Sequence, residues 1–109
     1  MYVQLNRRIK QLLVSGQLTD GAFLPSRRET AAQLEINPNT VQKAYKQLEE
    51  EGILSTDNSG SQISCPESTR LKLREELLRE MGKEFVSHMQ ELQLSFKDAI
   101  DLLSQLWEE

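Results

Sequence analysis

The side chains with the clearest chemical potential gather between Pro25 and Lys46, where Arg27, Arg28, Lys43 and Lys46 stand against only Glu29 and Glu35. Guanidinium and ammonium groups concentrated in one short stretch attract phosphate, the first requirement of nucleic-acid binding. Other chemistries find no matching set. The single cysteine, Cys65, has no disulfide partner, and with the single histidine, His88, it makes no cluster at metal-ligand spacing. No Ser/His/Asp, Cys/His or paired-carboxylate arrangement and no Gly-rich phosphate loop stands out, so neither an enzyme nor a bound cofactor or metal is expected.

The local positive field is set in an acidic chain. The net charge is −4, yet residues 1–64 carry seven basic and seven acidic side chains, so the whole deficit lies in residues 65–109. With 109 residues, 38% hydrophobic and 28% charged, the chain has room for one small globular head and a helical extension, and none for a large ligand-binding domain. No apolar run approaches the ~18 residues of a membrane span, and the first residues lack the basic-then-apolar layout of a signal peptide. A cytoplasmic protein without membrane attachment is expected.

Helical elements must position the basic stretch. Leu5, Ile9, Leu12 and Leu13 recur at helical spacing up to a natural stop at Gly16. Ser26-Arg27-Arg28-Glu29 has the form of a capping box and predicts a second helix from about Arg27 to Leu34, where Pro38 forces an end. Asn37 suits an N-cap and Pro38 the first position of a third helix, with Val41, Tyr45 and Leu48 turned inward and Gln42, Lys43 and Lys46 off that stripe. Ile53–Thr56 and Ser61–Ser64, separated by Asp57-Asn58-Ser59-Gly60, predict a two-stranded hairpin. That order is a winged helix-turn-helix, whose second motif helix fits a major groove of about 12 Å.

Beyond Cys65-Pro66, a stripe of Leu78, Met81, Phe85, Met89 and Leu92 predicts a long helix from about Ser68 to Glu91, unless Gly82 breaks it. A Ser95/Asp98 capping signal then opens a last helix carrying Phe96, Ile100, Leu103, Leu106 and Trp107. The expected fold is therefore mostly α with a small β-hairpin: a winged helix-turn-helix at 1–65 and a two-helix dimerisation segment at 66–109. Apolar residues at helical spacing are more often core or interface than ligand pocket, so Leu78, Met81, Phe85, Met89, Leu92, Phe96, Ile100, Leu103 and Trp107 are assigned to a homodimer interface. A small-molecule effector has no supporting signal. A helix of ~24 residues spans about 36 Å, comparable with one turn of B-DNA, so such a tail suits two heads on a palindromic operator.

Leu24-Pro25-Ser26-Arg27-Arg28-Glu29, followed at fixed spacing by Ala31, Leu34, Asn37-Pro38-Asn39-Thr40-Val41, Ala44-Tyr45, Leu48-Glu49 and Glu51-Gly52, strongly resembles the GntR family of bacterial regulators. The Asn-Pro-Asn-Thr-Val run and the short tail resemble its YtrA subfamily. The resemblance implies a sequence-specific DNA-binding transcription regulator, a homodimeric repressor of a nearby operon, with transporter operons frequent targets in the subfamily. It implies that Arg28 contacts DNA and that Asn37, Asn39, Thr40 and Gln42 lie at the start of the recognition helix. The chemistry agrees: arginine binds guanine or phosphate in bidentate fashion, asparagine pairs with adenine, and helix N-termini favour anions. Ser26, Arg27, Lys43, Lys46 and the wing residue Gly60 complete the expected DNA-facing set. With four basic contacts per protomer, log affinity would fall with log salt at a slope near −7 for a dimer, about 0.9 per phosphate. Three departures from the family pattern stand out: Thr30 for a common leucine, Glu35 at a turn position favouring glycine, and a wing without basic residues. The alternative reading is a winged helix that binds protein and has lost its DNA role.

Overall fold

The computed structural model describes residues 1–109, which form α1 (Tyr2–Ser15), β1 (Phe23–Leu24), α2 (Arg27–Leu34), α3 (Pro38–Glu50), β2 (Leu54–Asp57), β3 (Gly60–Ile63), α4 (Glu67–Glu91) and α5 (Phe96–Trp107). The chain divides into two compact units, Met1–Arg74 and Glu75–Glu109. In the first, α1 and α2 pack on α3, and the three strands form an antiparallel sheet in the order β1-β3-β2. No helix is long and apolar enough to cross a membrane.

Local signals placed the helices of this unit closely. Gly16 ends α1 in the left-handed conformation at φ 81°, and its N–H donates to the Leu13 carbonyl. Ser26 caps α2 by accepting the Glu29 N–H at 3.1 Å, so the Ser26 half of the expected capping box forms. Asn37 Oδ1 accepts the Asn39 N–H at 2.8 Å, with Pro38 at the first helical position where no intrahelical donor is needed. The hairpin is shifted by one residue from the expected ranges. Asp57 pairs with Gly60 across a turn of Asn58 and Ser59, and the Ser59 N–H donates to Asp57 Oδ1 at 2.7 Å.

The expected two-stranded hairpin is in fact part of a three-stranded sheet. Phe23 and Leu24 pair with Gln62 and Ser61, flanked by exchange of the Gly21 N–H to the Ile63 carbonyl and the Ile63 N–H to the Ala22 carbonyl. A strand of two residues is too short to show an alternating pattern, and its pairing partner lies almost forty residues away in sequence. Glycine at position 82 does not interrupt α4, which runs unbroken through it.

Ile9 and Leu13 from α1, Ala31 from α2, Val41, Tyr45 and Leu48 from α3, Ile53, Leu54 and Ile63 around the sheet, and Cys65 and Leu73 beyond it make one buried cluster. Full burial of each large aliphatic side chain contributes about 1.5–3 kcal/mol before entropy is counted. Burial also pushes the Cys65 thiol above its ordinary value, with Asp20 adding in the same direction, so its reactive thiolate is suppressed. Arg70, in the first turn of α4, grips Glu67 in bidentate fashion at 2.8 and 2.6 Å and donates to the Val14 carbonyl at 2.9 Å. That ties the start of α4 to the end of α1.

Tyr45 carries the polar centre of this core. Its hydroxyl donates to the Pro25 carbonyl at 2.8 Å, and since a phenol has one proton, Thr30 Oγ1 at 2.8 Å is the donor in the second bond. Thr30, a departure from the pattern the resemblance implied, is therefore a buried, satisfied partner. Glu35 does adopt the left-handed conformation, at φ 54°, which glycine tolerates without the strain on a Cβ.

Tyr45→Phe should lower the urea midpoint by an amount equivalent to about 1–2 kcal/mol with an unchanged m-value, because two polar groups lose their partner. Burial raises the Tyr45 pKa above 10.0, against lowering by Thr30 and Arg27. The folded state thus holds the phenolic proton more tightly than the unfolded chain, a stabilisation present below about pH 10 and lost as pH rises through the folded pKa. Alkaline denaturation followed by circular dichroism should accordingly be less steep for Tyr45→Phe than for wild type. Glu35→Gly should raise the midpoint.

Candidate nucleic-acid interface

The expected DNA-facing residues fall into two groups in the first unit. Ser26, Arg27, Arg28 and Gly60 line one groove of about 770 Å³, between the first turn of α2 and the β2–β3 wing, with Phe23, Thr56 and Ser61 on its other walls. The second group stands on α3. Gln42, Lys43 and Lys46 are exposed on the face opposite Val41, Ala44, Tyr45 and Leu48, with Asn37 and Asn39 exposed at its N-terminus and Thr40 half-buried beside them. Steps of three and four residues from Asn39 to Gln42, Lys43 and Lys46 keep these side chains on one surface of the helix.

The groove is fixed by polar bonds from several elements. Pro25 is held through its carbonyl by Tyr45, and Leu24 by its pairing with Ser61. The first turn of α2 consequently faces the wing across the groove, which Arg28 also lines. Arg28 is exposed. Arg27 is differently placed: its Nη2 donates to Glu49 Oε1 at 3.0 Å, and its guanidinium lies 5.8 Å from the centre of the Tyr45 ring. The same Glu49 oxygen accepts the Thr56 hydroxyl at 2.7 Å. Thr56 Oγ1, its own proton committed to that carboxylate, accepts from Ser61 Oγ at 3.0 Å.

Glu49, Thr56 and Ser61 were not among the expected site residues. Arg27 and Glu49 lie 22 positions apart, and nothing in local periodicity or charge pattern marks two such residues as partners. The wing itself contains Asp57 and no Lys or Arg between Leu54 and Ile63, so its contribution to the groove is backbone and hydroxyl. Lys10 on α1 is also paired, with Glu51 at 2.8 Å.

Residues 1–61 match the family of bacterial regulatory proteins described as the gntR family. The chain belongs to the GntR family. Its relatives include an uncharacterized HTH-type transcriptional regulator, YhcF of Bacillus subtilis, 35% identical over 102 residues that span 93% of this chain and 84% of that protein. The HTH-type transcriptional repressor YtrA of the same organism is 48% identical over 56 residues, covering 51% of this chain and 43% of YtrA. Among solved structures, a GntR family transcriptional regulator from Listeria monocytogenes superposes with a TM-score of 0.83 at 30% identity, covering 95% of this chain and 92% of that one. This GntR protein is thus a YtrA-like, DNA-binding transcription regulator and not an enzyme. Its winged helix-turn-helix and C-terminal helices are those the sequence implied.

Asn37 combines a cap with a position at the start of α3, and the two roles separate by substitution. Asn37→Asp should leave the urea midpoint within about 0.5 kcal/mol of wild type, since aspartate caps as well as asparagine. The same change places a carboxylate at the helix end and removes the amide donor, so DNA affinity measured by fluorescence anisotropy should fall at least about tenfold.

Proposed function

We propose that this GntR protein acts as a cytoplasmic homodimeric repressor, residues 66–109 pairing two copies and residues 1–65 of each reading one half of a palindromic operator near a promoter. Occlusion of that promoter then represses a neighbouring operon, a transporter operon being the type the subfamily suggests. In this reading Arg28 and the α3 residues Asn37, Asn39, Thr40 and Gln42 contact bases or nearby phosphates, and Lys43 and Lys46 contact phosphates. Ser26 and Gly60 present backbone amides to the duplex. Arg27 stands in the same groove with its charge matched by Glu49.

One observation carries the dimer. Within Glu75–Glu109, Leu77 and Ala99 alone among the hydrophobic residues are buried, while Leu78, Met81, Leu92, Ile100 and Leu103 are exposed, Phe96 is 83% and Trp107 86% exposed, and Phe85 and Met89 are half-buried. A unit shorter than about 40 residues rarely sustains a core alone, and an apolar surface this continuous calls for a partner. Phe85, Met89, Phe96, Ile100 and Leu103 also line a cleft of about 470 Å³ between α4 and α5. A second copy is the occupant the reading assigns to it, because the same side chains continue the exposed stripe.

The test is a titration of fluorescent duplex from the upstream region of its own gene, across a series of salt concentrations, alongside sedimentation equilibrium. Wild type should sediment as a dimer and bind selectively, with log affinity falling against log salt at a slope near −5 if Arg28, Lys43 and Lys46 of both protomers neutralise phosphates. Arg28→Ala should abolish selective binding. Phe96→Asp with Trp107→Asp should give monomers and weaken binding at least a hundredfold, since the second half-site contact is lost. Monomeric wild type that still binds a palindrome tightly would refute the dimer, and equal weak binding to all duplexes would refute operator recognition.

A further inference from the structure

The acidic residue Glu49 sits behind the groove and holds two of the elements that frame it. Its Oε1 accepts from Arg27 in the first turn of α2 at 3.0 Å and from Thr56 in the wing at 2.7 Å, while Glu49 itself belongs to the last turn of α3. Both partners of the ion pair are about one third exposed, at 33% and 30%, and Arg27 lines the groove, so its charge stands within the field that an incoming phosphate meets. Arg27 is also laid over the Tyr45 ring, which fixes where its charge stands.

We propose that Glu49 is a charge-matching residue that cancels the charge of Arg27 in the DNA-facing groove and so sets the sequence-independent affinity and salt dependence of binding, while Arg28 and the α3 face read sequence. The proposal rests on the operator-binding reading above. Sequence-independent affinity arises from phosphate neutralisation and grows with each unmatched cation, whereas selectivity is the ratio of operator to random affinity. A groove with Arg27 and Arg28 both unmatched would raise binding to every duplex alike. Glu49 removes one cation from that sum without removing the Arg27 side chain, and its carboxylate, bonded to the Arg27 guanidinium and the Thr56 hydroxyl, links α2, α3 and the wing.

Glu49→Gln tests this in the full-length protein, because glutamine keeps the shape and a carbonyl acceptor for Thr56 but loses the charge. The probes are a random-sequence duplex of about 40 base pairs, long enough for two half-sites a helical turn apart, and a duplex enriched from a randomised pool by wild type. With one extra cation per protomer, Glu49→Gln should bind the random duplex about tenfold or more tightly near 0.1 M salt, with a salt slope steeper by about 1.8 for the dimer. The enriched duplex should gain by about the same factor, so the variant binds all duplexes more tightly and leaves the selectivity ratio unchanged. Combining Glu49→Gln with Arg27→Met should abolish both the gain and the added slope, since the unmatched charge is gone while the side-chain stem remains. Urea midpoints near that of wild type keep these readings separate from loss of fold.

Unchanged or weakened random-duplex binding by a folded Glu49→Gln protein would overturn the proposal, leaving Glu49 as a brace alone. Persistence of the gain in the double variant would overturn it as well, by showing that the added affinity does not come from Arg27. Wild type that binds the enriched and random duplexes equally would instead remove the operator-binding reading, whatever the variant does. If neither wild type nor Glu49→Gln binds any duplex, both readings fail together.

Discussion

The helix-turn-helix geometry depends on one buried hydroxyl. Tyr45 projects from α3 into the core and there bonds the Pro25 carbonyl just before α2 and the Thr30 hydroxyl within it. Hydrophobic burial presses α2 against α3 without specifying their rotation or offset, since apolar contact has no direction. Hydrogen bonds do have direction, and an unmade one in the core costs about 1–3 kcal/mol, so this pair selects the arrangement in which both are formed. From that arrangement follows the position of Ser26, Arg27 and Arg28 against the wing. Thr30, a polar residue buried in the core, is satisfied as the donor to this tyrosine.

Electrostatics refine what packing positions. The protein is acidic as a whole, yet Arg28, Lys43 and Lys46 are presented from elements that converge on the groove and the outer face of α3. Three other cations in the same unit are matched: Lys10 with Glu51, Arg27 with Glu49 and Arg70 with Glu67. Partly exposed ion pairs contribute little to stability, in the range of about 0–1 kcal/mol. Their larger effect here is on the field around the head, because each pair removes a cation from the set that a phosphate can meet. Net charge is therefore a poor guide to nucleic-acid binding in a chain of this kind, and the distribution of unmatched charge is a better one.

Size imposes the remaining constraint. Met1–Arg74 is large enough to enclose a core drawn from four helices and a sheet, and it does so. Glu75–Glu109 contains parts of two helices and encloses almost nothing, although α5 starts with a complete capping box in which Ser95 and Asp98 each satisfy the other's backbone amide. Those bonds hold the Asp98 carboxyl below its ordinary value. The start of α5 is thus specified locally while its apolar face is left exposed, which separates the signal for forming a helix from the signal for covering it.

The elements set by neighbouring residues were legible in the sequence. Gly16, Ser26, Asn37-Pro38, Gly52 and Ser95 fix helix ends through caps, proline geometry and left-handed backbone, all of which act within a few residues. The inward stripe of Val41, Tyr45 and Leu48 follows from the period of the helix, and the family resemblance followed from the spacing of these same residues. Tertiary structure alone decided the contacts between distant positions: Phe23–Leu24 as a third strand on β3, the partners of the Tyr45 hydroxyl, and the Arg27–Glu49–Thr56–Ser61 chain. The physical reason is range. Caps and periodicity are properties of a few consecutive residues, whereas a strand pairing or a side-chain bond forms only after packing has brought residues together, and many sequences satisfy the local rules without fixing which distant groups will meet.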